Sequence, residues 1–260
     1  MLEPDQNQIY DLSAVAPGVF IRTGVIADGS CFFHAYLRVF RPTYKRANVA
    51  ERTRIVGQLR RVLASSVSET SLNSELYLLL FITELQKVLA QQDVSTDPHV
   101  KVLTKLVNLN TIVDDCSSFT GNLYTEFVDK VNAAGRKAAG DEADLYDEKM
   151  NSFVAQWARG IFHQVNQIVI RDFKQRLLTD YVGCTEMEYI SRALKCNFLF
   201  VKDHQIYPFQ VTGYLEWPYL ILIWVSKMHF ELVGRLDPDR VIQRKFNSQD
   251  PLVRAFFPSK

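Results

Sequence analysis

The chain has 260 residues, of which 47% are hydrophobic and 23% are charged, and its formal net charge is +1. These values are typical of a soluble globular protein with one sizeable core, and a charge so close to zero argues against bulk attraction to nucleic acids or membranes. The longest apolar run, Tyr219 to Val225, is far shorter than the roughly 20 residues of a membrane-spanning helix, so no membrane span is expected.

The start of the chain, MLEPDQNQIYDL, is polar and acidic and lacks the basic-then-apolar pattern of a secretory signal. The cysteines are scattered without a pairwise spacing, which favours reduced thiols in a cytoplasmic setting over a disulfide framework. They are Cys31, Cys116, Cys184 and Cys196. Because no two Cys or His residues show metal-ligand spacing, neither a metal nor a cofactor is expected.

The first strongly patterned segment is GVIADGSCFFHAYLRVF, which predicts a helix beginning near Cys31. A flexible Asp28-Gly29-Ser30 turn precedes an apolar stripe with three-and-four spacing. A thiol in the first turn of a helix faces unpaired backbone N–H groups and the positive end of the helix dipole, and both favour the thiolate. Cys31 is therefore a candidate nucleophile.

The chain from Ala50 to about Leu178 shows almost wholly helical periodicity. The helical segments are RIVGQLRRVLASSV, SELYLLLFITELQKVLAQQ, HVKVLTKLVNLN, LYTEFVDKVNAA and FVAQWARGIFHQVNQIVIRDFKQRLL. Breaks or caps are expected at Ser71, at Thr96 or Asp97, and at Gly140-Asp141. The basic residues between Lys45 and Arg61 are interpreted as a solvated helix face, so no nucleic-acid partner is expected.

The last third of the chain has a different pattern. TEMEYISRALKC predicts a helix with Thr185 as N-cap and Glu188 at the capping-box spacing. The short apolar runs NFLFV, QIYPF, YLILIWV and HFELV predict strands separated by turns. The sequence therefore predicts an α+β protein, rich in helices first and forming its sheet late.

A cysteine nucleophile needs a proton acceptor, and His229 at the start of the last predicted strand is the strongest candidate. Strand alternation places His229 and Glu231 on one face, close enough for the carboxylate to accept the Nδ1 proton of the ring. HFELV is also compatible with an edge strand without a catalytic role. His34 is a weaker alternative base because it lies on the same helix as Cys31, which leaves no cleft between them.

Three motifs of the chain, in order, resemble those of the ovarian-tumour (OTU) family of cysteine proteases. DGSCFFHA resembles the nucleophile motif, usually Asp-Gly-x-Cys. YVGCTEMEYISRALKCNFLFV resembles the segment Trp-Gly-Gly-x-x-Glu-Leu with the helix and strand that follow it. HFELV resembles the histidine motif, usually His-Tyr-Asp or His-Tyr-Asn. The similarity covers roughly residues 18–47 and 178–236.

The resemblance implies a role for each matching residue. Cys31 matches the nucleophile and His229 the general base, while Asp28 matches the loop acid near the oxyanion hole. Gly29 and Ser30 of the same loop are expected to bind the substrate, with the backbone amides around Asp28 to Cys31 holding the oxyanion. Glu186 matches the acidic position before the helix, which is structural or lines the substrate. Glu231 stands where the family has Asp or Asn, Cys184 replaces a glycine, and Tyr181-Val182 replaces Trp-Gly.

The resemblance also implies a fold and an activity. The expected fold is a papain-like OTU core, in which helices flank a small central β-sheet, with a helical insertion at about residues 71–165 of a single 1–260 catalytic domain. The expected activity is thiol-dependent hydrolysis of the isopeptide bond after the C-terminal glycine of ubiquitin, without a cofactor. A catalytically silent ubiquitin-binding module and a viral-type protease that cuts polypeptides are the alternatives.

The long insertion resembles the arrangement in OTU enzymes that intracellular bacteria deliver into the host cytosol, and viral members of the family are an alternative source. Its segment SELYLLLFITELQKVLAQQ is apolar on more than one face. We expect Leu76, Leu79, Leu80 and Leu85 to pack inward. Tyr77, Phe81 or Leu78 would then be available at a surface that binds ubiquitin.

Overall fold

The computed structural model of the protein describes residues 1–72, 74–92, 123–139, 148–179, 181–226 and 229–257. It divides the chain into two compact units, Met1–Ser66 with Lys174–Lys260, and Val67–Phe173. The helices are α1 (Cys31–Phe40), α2 (Pro42–Arg46), α3 (Val49–Ser65), α4 (Ser74–Gln92), α5 (Leu123–Ala139), α6 (Glu148–Thr179), α7 (Cys184–Leu194) and α8 (Pro251–Ala255). The strands are β1 (Asn7–Tyr10), β2 (Val19–Thr23), β3 (Asn197–Lys202), β4 (Gln205–Val211), β5 (Tyr219–Ser226), β6 (His229–Leu236) and β7 (Ile242–Gln243).

The strands form one sheet in the order β1-β2-β6-β5-β3-β4, and β7 pairs with β6. β3 and β5 run parallel, while the other described strand pairs are antiparallel. The register of β5 and β6 sets His229, the first residue of β6, opposite Ser226 at the end of β5. The α+β class, with a central sheet accompanied by helices, is confirmed.

Apolar side chains are buried on both faces of the sheet. On one face, Phe32 of α1 packs against Phe198 and Phe230, with ring centroids 4.6 and 6.3 Å apart. On the other face, a separate core cluster contains Phe20 of β2 and Leu252 of α8. Because β3 and β5 are buried on both faces, their sequences are continuous apolar runs rather than alternating ones.

The strands predicted in the last third of the chain are confirmed as β3 to β6, but β1 and β2 near the N-terminus were not predicted. β1 is four residues long and three of them are exposed, so it has no apolar alternation to reveal it. β2 pairs with β6 over five residues from Val19 to Thr23. The pairing places β2 directly beside β6, the strand that begins with His229.

The unit Val67–Phe173 has its own aromatic core. Phe81 of α4 lies 6.1 Å from Phe127 of α5 and 4.9 Å from Phe162 of α6, measured between ring centroids. The expected faces of α4 were partly wrong, because Tyr77 and Phe81 are buried whereas Leu79 is 62% exposed. Tyr77, Phe81 and Leu85 lie on one face of α4. This face is the buried one because aromatic side chains of α5 and α6 pack against it.

The remaining predictions concern where α7 begins and which other segments form helices. α7 begins at Cys184 with Gly183 as its N-cap, so the N-cap predicted at Thr185 was two residues too late. The segment HVKVLTKLVNLN, the breaks at Thr96 or Asp97 and at Gly140-Asp141, and the thiol at position 116 lie outside the described residues.

None of the helices in the described ranges combines the length and the apolar character required to cross a bilayer.

Candidate active site

Cys31 is the first residue of α1 and its side chain is buried. The backbone N–H of Phe230, in β6, donates a hydrogen bond of 3.3 Å to the Cys31 sulfur. The first strand residues of β6 therefore lie against the first turn of α1. Cys31 and Phe230 are 199 positions apart in the sequence. Their contact also brings His229, the residue before Phe230, close to the Cys31 thiol.

The turn before Cys31 is held by Asp28. Its Oδ1 accepts a hydrogen bond of 2.9 Å from the Ser30 amide, and its Oδ2 lies 3.0 Å from His34 Nε2. Gly29 adopts a φ of +83°, a region that side-chain-bearing residues rarely occupy. The loop acid thus shapes the backbone that leads into the nucleophile, and its carboxylate does not point at the thiol.

Ser30, the N-cap of α1, uses its hydroxyl for a tertiary contact rather than for a side-chain cap. Its Oγ accepts a hydrogen bond of 2.9 Å from Arg60 Nη1. The buried Arg60 guanidinium also donates to the Leu177 carbonyl at 2.7 Å and lies over the Phe33 ring. Arg60 therefore ties the start of α1 to α3 and to the end of α6, a role that no spacing in the sequence indicated.

His229 is buried at the start of β6, with 4% of its surface exposed. Burial lowers the pKa of an imidazole, but the neighbouring Cys31 and Glu231 side chains raise it, and the result is a pKa raised to about 9. The ring is therefore protonated at neutral pH. An imidazolium beside a buried sulfur is the arrangement that stabilises a thiolate nucleophile.

Glu231 faces the other side of the His229 ring. Its Oε1 lies 3.6 Å from Nε2 of His229, so the expectation that Glu231 would accept the Nδ1 proton was wrong. The carboxylate is fixed at the Nε2 side by the Leu2 amide, which donates to Oε1 at 2.8 Å, and by Arg22. At 3.6 Å, which exceeds a hydrogen-bond length, Glu231 acts on the imidazolium through its charge.

Arg22 of β2 binds the Glu231 carboxylate with two nitrogens. Its Nη2 donates to Oε1 at 3.1 Å and its Nε contacts Oε2. Burial raises the pKa of Glu231, but its contacts with His229, Arg22 and the Leu2 amide outweigh this and lower it to about 2. Glu231 is therefore ionised at neutral pH.

His34, the alternative base, is fully buried and both of its ring nitrogens have other partners. Nδ1 is hydrogen-bonded to the Tyr44 hydroxyl and Nε2 to Asp28. Neither nitrogen is directed to Cys31, so the structure brings Cys31 together with His229 and not with His34. His34 instead supports the Asp28 turn.

Glu186 is placed at the beginning of α7, where its Oε2 accepts a hydrogen bond of 3.0 Å from the Gly183 amide. Its other oxygen lies 3.5 Å from Arg176 Nη1. A side chain at position 183 would approach the Glu186 carboxylate to 2.9 Å, so glycine suits this cap. The geometry gives Glu186 a structural role: it makes the carboxylate half of a capping box, without the other half because Gly183 has no side chain, and the box predicted with Glu188 was wrong.

An apolar cavity of about 150 Å³ opens beside the Cys31 sulfur. Its lining residues are uncharged, and they come from the loop before α1, the start of α1, the segment before α7, α7 itself and strands β3 to β6. They are Gly29, Cys31, Phe32, Tyr181, Val182, Gly183, Met187, Phe200, Phe209, Trp224 and Phe230. A space of this size next to a nucleophile can hold one small apolar group.

The described residues contain no cluster of three or more His, Cys, Asp or Glu side chains that would hold a metal ion. Separately, Cys31 and His229 place a thiol beside an imidazolium, an arrangement that is suited to covalent catalysis. Cys31, His229 and Glu231 form one group, and Asp28, Gly29 and Ser30 form the loop that positions its first member.

The raised pKa of His229 predicts how stability depends on pH. Between the ordinary value of 6.5 and about 9, the folded protein holds this proton more tightly than the unfolded chain does. The resulting stabilisation is complete below about pH 6.5 and is lost as the pH rises through about 9, and it amounts to about 3 kcal/mol at most.

We expect the free energy of unfolding, measured with urea at several pH values between about 6 and 9, to fall more steeply for the wild type than for His229→Gln. Glutamine does not titrate, so the difference between the two slopes isolates the histidine. Equal slopes would show that His229 is not held as an imidazolium.

Comparisons with known proteins identify no family for this chain. No protein-family model and no curated protein matches the chain. Among solved structures, the chain is similar to one described as the structure of an ovarian tumor (OTU) domain in complex with ubiquitin, at 13% sequence identity and a TM-score of 0.36. That match covers 98% of this chain and 89% of the other, and at this TM-score the likeness assigns no function.

Proposed function

We propose that the protein is a thiol-dependent deubiquitinase of OTU type, which hydrolyses the isopeptide bond after the C-terminal glycine of ubiquitin. The observation that carries the proposal is the meeting of Cys31, at the start of α1, with His229, at the start of β6. The order of the three OTU-like motifs in the sequence supports the substrate class.

The reaction would proceed in two steps. The Cys31 thiolate attacks the carbonyl carbon of the glycine, and the carbon–nitrogen bond breaks as the His229 imidazolium gives its proton to the departing lysine amine. A thioester is left on Cys31. His229, now neutral, takes one proton from water, whose oxygen attacks the thioester and displaces the thiolate. The ubiquitin carboxylic acid formed in this way gives the second proton of the water to solvent and leaves as the carboxylate.

The negative oxygen formed in each step needs hydrogen-bond donors that are already in position. The Ser30 amide is bound to Asp28, so we assign the oxyanion to the Cys31 amide at the start of the helix and to the backbone of Gly29. The side-chain-free positions Gly29 and Gly183, which both line the cavity at Cys31, suit an acyl group that ends in glycine.

A second candidate is a cysteine protease that cuts polypeptides next to an apolar side chain. The aromatic wall of the cavity, with Phe200, Phe209 and Trp224, favours this alternative. A catalytically silent ubiquitin-binding module is less well supported, because Glu231 keeps its charge beside His229 despite replacing the usual Asp or Asn.

Incubation with di-ubiquitin of different linkages and, separately, with an unfolded polypeptide distinguishes these functions. We expect release of mono-ubiquitin by the wild type, none by Cys31→Ala, and no cutting of the polypeptide. Cleavage of the polypeptide with intact di-ubiquitin would support the protease. Binding of ubiquitin without cleavage of any linkage would support the silent module.

A further inference from the structure

The Glu231 carboxylate is buried completely, and more than one element of the fold holds it. Arg22 reaches it from β2 with two nitrogens, and the Leu2 amide reaches it from the segment before β1. Arg22 is 18% exposed at its side chain, whereas Glu231 is 0% exposed. A bidentate guanidinium on a fully buried carboxylate fixes both its position and its charge.

The charges of the site balance only when Arg22 is included. A Cys31 thiolate and the Glu231 carboxylate are negative, and the His229 imidazolium supplies one positive charge. Arg22 supplies the second positive charge. Without it, a buried group of three ionised side chains would carry a net negative charge, which a low-dielectric site disfavours and relieves by taking up a proton.

The N-terminal segment that carries the Leu2 amide packs closely against Gly24. A β-carbon at Gly24 would lie 2.2 Å from the Glu3 carbonyl oxygen and 2.9 Å from Leu2 atoms, so only glycine permits this path. Asp5 anchors the same segment through Arg52 at 2.6 Å and through its amide to the Gly24 carbonyl at 3.0 Å. The Leu2 N–H is therefore held toward Glu231 by contacts outside the site.

We propose that Arg22 is a positioning residue of the catalytic site, which with the Leu2 amide holds Glu231 ionised at the Nε2 side of His229 and keeps the nucleophile in its reactive form at neutral pH. This inference rests on the proposed roles of Cys31 and His229. It extends the Cys–His–acid group by a cation that no motif in the sequence marks.

The groups that face this cluster come from several elements. His229 lies on the same strand as Glu231, Cys31 comes from α1, and Tyr10 of β1 acts on Arg22. Asp28 in the loop before α1 is hydrogen-bonded to His34, and Arg244 beyond β7 donates to Asn7 and Thr23. Asp28 and Arg244 thus have partners of their own, and Arg22 is the cation that contacts Glu231 directly.

The test follows alkylation of Cys31 by chloroacetamide, a small uncharged reagent, as a function of pH. We expect Arg22→Gln to move the pH at which the rate is half-maximal upward by about one unit, which is roughly a tenfold lower rate on the acid side. Arg22→Lys, which keeps the charge but not the bidentate contact, should restore most of the shift. A purely structural role would lower the folded fraction and leave the midpoint unchanged.

The matched control is Arg235→Gln, which removes another guanidinium of the same sheet that is paired with Asp250 at 2.7 Å. Its midpoint should equal that of the wild type. If Arg22→Gln does not fold, Glu231→Gln is compared with the double variant Arg22→Gln/Glu231→Gln, and these two midpoints should differ by clearly less than about one unit, because the carboxylate that Arg22 holds is gone and only its direct charge effect on the thiolate is left.

An unshifted midpoint in folded Arg22→Gln, or a difference of a full unit or more within the second pair, would overturn the inference. Because alkylation needs no ubiquitin, this outcome is separate from the fate of the proposed function. A shifted midpoint in a protein that cleaves no ubiquitin chain would support Arg22 as a positioning residue and overturn the proposed substrate.

Discussion

Replacement of Cys31 by serine is expected to reduce the cleavage of di-ubiquitin by at least about three orders of magnitude. A hydroxyl at the start of α1 would keep the hydrogen-bond geometry of the site, but it is a far weaker nucleophile than a thiolate beside the His229 imidazolium. The measurement is the initial rate of mono-ubiquitin release at equal concentrations of folded protein.

Cys196→Ala is the matched control for that experiment. The Cys196 thiol is fully buried between α7 and β3, and burial raises its pKa well above the usual range, so it is chemically inert. We expect the control to keep most of its activity per folded molecule. Activity retained in Cys31→Ser, or lost equally in both variants, would contradict the assignment of the nucleophile.

The second large effect is expected at the base. His229→Ala should lose activity by about three orders of magnitude or more, because neither the departing amine nor the attacking water then has a proton partner. Glu231→Gln should lose about 10- to 100-fold, because the amide still occupies the Nε2 side of the ring but no longer stabilises the imidazolium by charge.

His204→Ala is the control for the base, since His204 is exposed and its Nδ1 is hydrogen-bonded to the Asp11 carbonyl at 2.8 Å. It should match the wild type. If Glu231→Gln were as inactive as His229→Ala while folded, Glu231 would take part in proton transfer rather than in stabilising the imidazolium. If His229→Ala stayed active, another residue would have to be the base.

The parts of the site that the sequence predicted are those with local signals. The apolar stripe after Asp28-Gly29-Ser30 predicted a helix beginning at Cys31, and α1 begins there. Turn residues and apolar runs predicted the strand that starts with His229. That the two ends meet could be expected only from the order of the motifs, because helical and strand periodicity carry no information on contacts 199 residues apart.

The parts that were missed depend on tertiary contacts. Arg22 lies two residues after Phe20 in β2 and in the sequence looks like any polar residue on the solvated face of a strand, and its partner is 209 residues away. His34 was a candidate base because it follows Cys31 by three residues. Its actual partners, Asp28 and Tyr44, are determined by how α1 packs on α2, which no pattern within α1 reveals.

Strand alternation also could not predict which ring nitrogen of His229 faces Glu231. Alternation predicted that Phe230 lies on the opposite face of the strand from Glu231, and in the structure Phe230 packs against Phe32 and Phe200. It cannot determine the rotation of the His229 ring, which depends on where Arg22 and the Leu2 amide hold the carboxylate. The Nδ1 contact expected from a two-residue spacing was therefore wrong, while the pairing of the two side chains was predicted.

The most direct test of the account is reaction with a ubiquitin that carries an electrophile at its C-terminus, followed by tryptic digestion and mass spectrometry. Trypsin cuts after Arg22 and Arg38, and the peptide between them, Thr23 to Arg38, contains Cys31 as its single cysteine. We expect a covalent adduct on this peptide in the wild type and no adduct in Cys31→Ala. No adduct from a folded wild-type protein whose Cys31 still reacts with chloroacetamide, or an adduct on another cysteine, would contradict it.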